Sequence, residues 1–408
     1  MSSLYRYICI LRSQLNFANL YVLLLTYNTY LHLIGQDGTF ITRIIFVLNI
    51  FVSFYCIFKI QKKHVRNPYI NGLKKILILF SFYGFILILV SDIHISSLTG
   101  YVKVKSYWYL MELYVSILPI FPFYYLSKKN YFRKETLIFW LCVFLLLIPI
   151  IFIQSASLIG NDVTNIFSTN RTSNVGYAFV ALLPAVALFN NKLIFQYFIF
   201  IYCLAFSLIC MKRGPIIICI LCLIVFIVYK FKNVPFRKKI SIVAFLSILF
   251  YISMFFIMEL AGNNAYFMTR IEDTIDGGSS GRDSIYSALI DYYLLKANVL
   301  QQFFGLGAYG SLKVSHNFAH NDWLEILIGQ GLIGLIFYVN YWFCFYKIIK
   351  RNKKNQEVYL ALSLFFVIYF LKTLFSMSIN DIPVFSSLFF GYYLAYSDTK
   401  GNDIIYSR

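Results

Sequence analysis

Long apolar stretches recur along the chain and are separated by short polar breaks. A bilayer core of about 30 Å requires roughly 20 apolar residues in each helix that crosses it, and about twelve stretches approach this length. The pattern therefore predicts an all-α fold class, a polytopic membrane bundle of about twelve transmembrane helices. The predicted spans are residues 17–34, 40–58, 76–91, 108–126, 136–153, 174–189, 193–211, 214–229, 240–258, 323–346, 358–377 and 384–397.

The composition also indicates a membrane protein. Hydrophobic residues make up 60% of the 408 residues and charged residues only 13%, whereas a soluble domain carries about 25% charged residues. So few charged side chains cannot cover a globule that faces water. A soluble enzyme, a disordered chain and a disulfide scaffold are therefore excluded, and residues 1–408 are expected to form a single membrane domain.

The formal charge of +19 comes from 36 lysines and arginines against 17 aspartates and glutamates. With both termini placed in the cytoplasm, about 25 of the 36 basic residues lie in inward-facing segments, as the positive-inside rule requires. The excess charge is expected to face anionic lipid headgroups, so the lipid bilayer is the implied partner and nucleic acid is not. The basic clusters of these segments are 59–75, 128–134, 230–239 and 347–354.

Residues 259–322 form a large predicted periplasmic loop between the ninth and tenth spans. Loops of this length without evident structure are usually functional or disordered. Within the loop, residues 283–296 show an amphipathic pattern that places Ile285, Leu289 and Tyr293 on one helix face. We expect this helix to lie on the outer membrane surface.

The loop ends in the segment 316–325, which has the sequence HNFAHNDWLE. Asp322 and Glu325 have the spacing of a capping box that opens the next span, which leaves His320 just outside the membrane. An imidazole there is a suitable general base, although a polar cap without chemistry would show the same pattern. His316 lies four residues before His320, but the H-E-x-x-H pattern is absent and no third ligand is evident, so no metal is predicted.

Three arginines lie at the outward ends of predicted spans or helices. Arg213 precedes a helix start at Gly214-Pro215, where free N–H groups and a guanidinium both favour a phosphate; contact with lipid headgroups is the alternative. Arg282 begins the amphipathic helix, where a cation opposes the helix dipole unless an acidic neighbour or a bound anion compensates it. Arg171 precedes another span. Together the three guanidinium groups would suit a diphosphate.

Three other features have structural as well as functional explanations. The segment 305–310 matches G-x-G-x-x-G, but no βαβ unit surrounds it, so we expect a flexible approach to the histidines rather than a nucleotide site. Lys372 lies within a predicted span, where an ionisable residue is a functional candidate, although snorkelling or pairing also explains it. Trp323 is typical of the aromatic belt at the membrane interface.

Several short motifs follow one another between residues 205 and 340. They are Lys212-Arg213-Gly214 at a span start, Ser280-Gly281-Arg282 before the amphipathic helix, Gly305-x-Gly307, and His320-Asn321-x-x-Leu324-Glu325 followed by Gly331-Leu332-Ile333-Gly334. In this order, and in a twelve-span bundle with a large late loop, the set resembles the O-antigen polymerase and O-antigen ligase (Wzy/WaaL-like) family of integral membrane proteins.

Members of that family transfer a glycan from a polyprenyl diphosphate such as undecaprenyl diphosphate to an acceptor sugar, at the outer face of the bacterial inner membrane and without a metal or other cofactor. The resemblance implies that Arg213 and Arg282 hold the diphosphate and that His320 activates the acceptor hydroxyl. It gives Arg171 as a further substrate contact. His316 lies beside the expected histidine, so both remain candidates for the base. A chain-length regulator protein is a further partner that the family allows.

The expected function is therefore polymerisation of polyprenyl-diphosphate-linked repeat units in lipopolysaccharide or capsule-type polysaccharide biosynthesis. An O-antigen ligase, which transfers the finished glycan to the lipid A core, shares the same motifs and is the first alternative. A flippase for lipid-linked sugars is a second alternative. It is less favoured because a transporter places charged residues near the bilayer midplane, whereas here they lie in the outward loop and at span ends.

Overall fold

The computed structural model describes residues 17–33, 38–62, 67–90, 93–97, 100–158, 173–189, 192–233, 235–263, 272, 281–376 and 382–398. The elements before residue 264 are α1 (Phe17–Leu33), α2 (Phe40–Lys62), α3 (Pro68–Val90), β1 (Ile93–Ser97), β2 (Gly100–Val104), α4 (Tyr107–Ile117), α5 (Ile120–Lys128), α6 (Lys134–Leu158), α7 (Gly176–Val180), a 3-10 helix (Leu183–Phe189), α8 (Leu193–Ile209), α9 (Arg213–Asn233) and α10 (Phe236–Asn263). The later elements are α11 (Arg282–Asp291), a π-helix (Tyr292–Lys296), α12 (Val299–Phe304), α13 (Gly310–Ser315), α14 (Asp322–Arg351), α15 (Gln356–Phe375) and α16 (Val384–Tyr396).

Among the residues that the structure describes, seven helical segments are long and apolar enough to cross a membrane, judged by length and composition. Shorter apolar helices accompany them. The prediction of a helical membrane bundle is confirmed at this level, and the count of twelve spans stays a prediction. The seven segments are Phe40–Lys62, Pro68–Leu89, Tyr107–Lys128, Lys134–Ser155, Arg213–Lys232, Asp322–Arg351 and Gln356–Phe375.

The outer surface of the bundle is apolar. Phe40, Leu89 and Ile194 expose 77%, 85% and 81% of their surface, and many other large apolar side chains are exposed in the same way. Soluble monomers do not usually expose so many large apolar side chains. They fit a bilayer, where exposed apolar side chains contact acyl chains.

Prolines divide two of the predicted spans. The predicted span 108–126 consists of α4 and α5, which are separated at Leu118 and Pro119. The predicted span 174–189 consists of the short helix α7 and the 3-10 helix, which contains Pro184. Proline has no N–H to donate and clashes with the preceding turn of a helix, so a continuous α-helix is disfavoured at both places.

A short antiparallel hairpin interrupts the helical chain between α3 and α4. Strands β1 and β2 pair from Ile93 opposite Val104 to Ser97 opposite Gly100. The two strand sequences, IHISS and GYVKV, alternate apolar and polar residues in part, which is the pattern of a half-buried strand. The all-α prediction did not anticipate this hairpin.

An aromatic core joins α14 to α3, α15 and α16. The hydroxyl groups of Tyr69 and Tyr341 lie 2.6 Å apart and form a buried hydrogen bond. The Phe390 ring packs edge-on against Tyr69 with 5.0 Å between centroids, and Trp342 packs against Phe370 with 5.2 Å between centroids. This packing fixes α14 against three other helices, and the N-terminal end of α14 carries the candidate site.

Helix α14 is kinked at Gly331, which has φ of +67° and ψ of −164°. The kink frees carbonyl groups that a straight helix would use. Leu306 N–H donates to the Ile328 carbonyl at 2.8 Å, and Gly307 N–H donates to the Gly329 carbonyl at 2.8 Å. The backbone of the loop therefore completes the hydrogen bonding of the interrupted helix.

The close approach at this kink explains the glycines of segment 305–310. A Cβ atom on Gly305 would lie 2.3 Å from the carbonyl carbon of Gly329, and one on Gly310 would lie 2.9 Å from the Gly329 Cα. The segment is packed directly against α14, in contrast to the flexible approach expected from sequence. Helix α10 continues to Asn263, beyond residue 258, where the ninth span was predicted to end.

Candidate functional site

His320 lies in the turn between α13 and α14. Its φ is +50°, and that of His316 is +56°; such left-handed values are uncommon outside glycine, although histidine adopts them more readily than most residues. The Glu325 carboxylate accepts hydrogen bonds from Ser311 Oγ at 2.6 and 2.8 Å and from Ala319 N–H at 3.1 Å. Unfavourable backbone conformations persist only where neighbours enforce them, and these bonds hold the turn against both helices.

The start of α14 differs from the prediction by one residue. Asn321, in extended conformation, is the N-cap, and its side chain accepts the N–H of Trp323 at 3.0 Å. Asp322 is buried and accepts a hydrogen bond from the Tyr338 hydroxyl at 2.7 Å. The predicted capping box of Asp322 and Glu325 is therefore wrong, because asparagine caps a helix as well as aspartate and Asp322 is used inside the bundle.

Trp323 joins the start of α14 to the end of α15. Its Nε1–H donates to Thr373 Oγ1 at 2.9 Å, and its ring packs edge-on against Tyr338 and Phe370. Trp323 is therefore half-buried by contacts within the protein, and its place in an aromatic belt stays a prediction. The contact also places the last turn of α15, which contains Lys372, beside the turn that carries His320.

The amphipathic helix predicted at 283–296 is present. Helix α11 starts at Arg282 and passes into the π-helix, which ends at Lys296. Leu294 and Leu295 expose 64% and 79% of their surface. An apolar edge of this segment is thus available to the membrane.

The predicted apolar face of this segment packs against the protein instead of the outer membrane surface. Leu289 is fully buried together with Ala319 and Ile328, and Ile285 packs on the same cluster. Ala319 immediately precedes His320 in the chain. Helix α11, which begins at Arg282, is therefore held beside the turn of His320.

The charges of Arg282 and Lys212 both act on the imidazole of His320. Desolvation, and then these two cations, lower the pKa of His320 from its ordinary value of 6.5. Both causes disfavour the charged imidazolium. Since His320 also keeps an exposed edge, the structure provides a neutral and accessible imidazole that can accept a proton.

Lys212 and Arg213 lie where α8 turns into α9. Met211 has φ of +52° in this turn, and Lys212 Nζ donates to Asn174 Oδ1. Arg213 is the first residue of α9 and is half-buried, so its guanidinium lies at a helix N-terminus as predicted. Lys212 belongs to the same sequence motif as Arg213. Nothing in the sequence, however, indicated that its charge acts on His320.

Tyr177, near the start of α7, has two lysines at its ring. Lys212 Nζ lies 5.1 Å and Lys372 Nζ 4.8 Å from the ring centroid. Gly214 passes close by, since a Cβ there would lie 2.3 Å from the Tyr177 hydroxyl oxygen. Lys372 is only 2% exposed, so it does not snorkel to the membrane surface. Sequence analysis did not identify Tyr177, because nothing local distinguishes it from the 34 tyrosines of the chain.

A cavity of about 550 Å³ lies beside the end of α11. It is lined by one carboxylate, one phenol, two amines and apolar groups, and its volume is typical of small-molecule sites. Ala288, the first lining residue, lies six residues after Arg282 on the same helix, so the cavity begins about 9 Å along the helix axis from Arg282. The lining residues are Ala288, Asp291, Tyr292, Lys296, Leu306, Lys313 and Val314.

The structure brings Arg282 and His320 together, with Lys212 as a third member, and places Arg213 next to Lys212 in the chain. His316 is exposed at the C-cap of α13. Arg171 lies outside the described residues. Within the part of the chain that the structure describes, no group of three or more histidine, cysteine, aspartate or glutamate side chains is arranged to hold a metal ion.

No protein-family model matches the chain, and comparisons with curated proteins and with solved structures also found no match. The function of the site is therefore inferred from its residues and their geometry.

Proposed function

We propose that this protein is a glycosyltransferase of the bacterial inner membrane that polymerises polyprenyl-diphosphate-linked oligosaccharide repeat units, of the O-antigen or capsule type, at the periplasmic face. The observation that carries the proposal is the grouping of His320 with the cations Arg282 and Lys212 at the end of a membrane helix. A base beside several cations suits a reaction in which a hydroxyl loses a proton and an anion leaves.

In the proposed reaction, His320 accepts the proton of an acceptor sugar hydroxyl while that oxygen attacks the anomeric carbon of the donor glycan. The bond between this carbon and the phosphate oxygen breaks, and the diphosphate leaves with the electron pair. Attack opposite the leaving group inverts the anomeric configuration. The polyprenyl diphosphate and the extended glycan are the products, so no cofactor is consumed.

The cations act on the leaving group. Negative charge on the diphosphate grows in the transition state, so fixed cations stabilise the transition state more than the bound substrate. Arg282 and Arg213 offer planar guanidinium groups that pair well with phosphate oxygens. Loss of one such contact commonly costs about 3 kcal/mol, which is about a hundredfold in rate.

The cavity at the end of α11 is consistent with a glycan as the substrate. Its lining offers Asp291, Tyr292 and Lys296 to sugar hydroxyl groups and sugar faces. Because it begins about 9 Å from Arg282 along the helix, it would hold a saccharide unit close to, but separate from, the reacting carbon. A long saccharide held along α11 is the substrate that a polymerase requires.

The orientation of the bundle supports a periplasmic site. Helix α9 runs from Arg213 to a last turn with Lys230 and Lys232, and α14 runs from Asp322 to a last turn with Lys350 and Arg351. By the positive-inside rule these basic ends are cytoplasmic, so the opposite ends face the periplasm. We propose twelve spans with both termini in the cytoplasm.

The test is complementation of a deletion strain, followed by gel analysis of the surface glycan. We expect His320→Ala to yield glycans of one repeat unit on the lipid core at unchanged protein abundance, and His316→Ala to yield full-length chains. Because His316 is exposed and equally left-handed, it is a matched control for the loss of a histidine from this turn.

Other outcomes have different consequences. Bare lipid core in the deletion strain would show that the protein is a ligase, and lipid-linked units accumulating on the cytoplasmic side would show that it is a flippase. Full-length chains with His320→Ala would overturn the role of His320, and loss of chains with His316→Ala alone would transfer the role of the base to His316.

A further inference from the structure

Two lysines from distant parts of the chain meet at one aromatic ring. Lys212 precedes α9 and Lys372 lies in the last turn of α15, and their ammonium groups lie 5.1 and 4.8 Å from the centroid of the Tyr177 ring. The two ammonium groups are therefore no farther apart than the sum of these distances. Two positive charges at one ring both attract an anion that enters between them, which makes the place favourable for an anion.

Lys372 differs from Arg282 in its place in the fold. It belongs to an apolar helix that is long enough to span the membrane, and it is 2% exposed. Arg282, by contrast, begins a helix of the outward loop. Ionisable residues within transmembrane segments are costly, and they commonly mark a substrate pathway.

The neighbours of Lys372 hold it at this place. Thr373 accepts the Trp323 indole N–H at 2.9 Å, which ties the end of α15 to the start of α14. The ring of Tyr177 lies next to the ammonium group and is packed in turn against Gly214. The charge is therefore fixed in position next to the turn of Lys212 and Arg213.

On the basis of the proposed function, we propose that Lys372 and Lys212 bind the lipid-side phosphate of the polyprenyl diphosphate, whereas Arg282 binds the sugar-side phosphate. The polyprenyl chain lies in the bilayer, so the phosphate attached to it is the deeper of the two. The sugar-side phosphate is the one next to the anomeric carbon, and Arg282 is the cation on the outward loop beside His320. Lys372 belongs to a helix that is long enough to span and Arg282 to a helix outside the spans, which is the order that the two phosphates would take.

The experiment compares three probes in phosphatidylcholine nanodiscs: polyprenyl diphosphate, polyprenyl monophosphate and polyprenol. The purified full-length protein and its variants are titrated with each probe. A monophosphate occupies the lipid-side position only, so its affinity reports on that position without a contribution from the sugar-side position. We expect Lys372→Met and Lys212→Met each to weaken binding of both phosphates by about tenfold or more, and Arg282→Ala to weaken binding of the diphosphate alone.

Two control variants test whether the loss of binding is specific to the charge at these positions. Lys350→Met removes an exposed lysine at the other end of α14 and is expected to leave the affinity for every probe unchanged. Lys372→Arg keeps the charge and is expected to restore most of the phosphate binding, which a purely structural lysine would not require. Thermal unfolding of each variant identifies any that fails to fold, and in that case Lys212→Met, at a partly exposed position, decides the question.

The outcomes distinguish this inference from the proposed function. If the wild-type protein binds neither phosphate better than polyprenol, the proposed function itself is wrong. If the wild type prefers the phosphates but Lys372→Met and Lys212→Met bind the monophosphate as well as the wild type does, only the assignment of the two lysines is overturned.

Discussion

The carboxylate of Glu325 accepts a hydrogen bond of 3.1 Å from the backbone N–H of Ala319, the residue that precedes His320. The same carboxylate accepts the hydroxyl of Ser311. One side chain in the first turn of α14 therefore holds both α13 and the turn of His320, where the backbone has a positive φ. The position of the imidazole depends on this carboxylate.

We expect Glu325→Ala to lower the rate of chain extension about tenfold, with a smaller effect on substrate affinity. Alanine has no acceptor for the Ser311 hydroxyl or the Ala319 N–H, and a buried group left unpaired costs about 1–3 kcal/mol. The measurement is kcat and KM for repeat-unit transfer in proteoliposomes. Glu357→Ala, which removes the partner of Lys134 elsewhere in the bundle, should leave kcat unchanged. Equal losses in both variants would mean that Glu325 has no particular role at the site.

The pH dependence of the reaction follows from the electrostatics of His320. The base must be neutral, and desolvation together with Arg282 and Lys212 lowers the pKa of His320, so activity should persist on the acidic side of pH 6.5. In Lys212→Met one positive charge is absent, so the pKa of His320 rises and the acidic limb of the kcat profile moves to higher pH. Lys350→Met should give the wild-type profile. An acidic limb at the same pH in Lys212→Met would contradict this account of the base.

The kink of α14 requires a glycine at position 331. Gly331 has φ of +67°, and a Cβ there would lie 2.4 Å from the carbonyl carbon of Phe303. We expect Gly331→Ala to cost about 1–3 kcal/mol from the backbone conformation alone, and more from the collision, so the melting temperature in detergent should fall clearly. Gly262→Ala has open space around its Cβ and should not lower it. A wild-type melting temperature for Gly331→Ala would mean that the loop is not packed on α14 in this way.

The shape of the cation at position 282 should matter as well as its charge. Arg282→Ala is expected to reduce kcat/KM about a hundredfold. Arg282→Lys should recover only part of this loss, because an ammonium group is a point charge and lacks the planar pair of N–H donors that fits phosphate oxygens. Steady-state kinetics of the two variants test this, with Arg351→Ala at the opposite end of α14 as the control. Full recovery with lysine would indicate that Arg282 acts through its charge at a distance.

The features that sequence analysis predicted correctly depend on properties of short segments. The apolar helices, the amphipathic helix of the loop and the placement of Arg213 at a helix start can all be seen within about 20 residues. Local patterns failed where two neighbours compete for one role, as Asn321 and Asp322 do for the cap of α14. They also failed where a pattern has two meanings, as for the glycines of segment 305–310.

Hydropathy along the chain was sufficient to determine that this is a helical membrane protein, because each helix crosses a bilayer by virtue of its own side chains. Which face of α11 turns inward, and which residues join His320, depended on contacts between residues far apart in the chain. Tyr177 and Lys372 are separated by nearly 200 positions, and only the packing of α7, α9 and α15 brings them together. An apolar helix can pack in many ways with similar burial, so the arrangement of charges at its ends is decided by the tertiary structure.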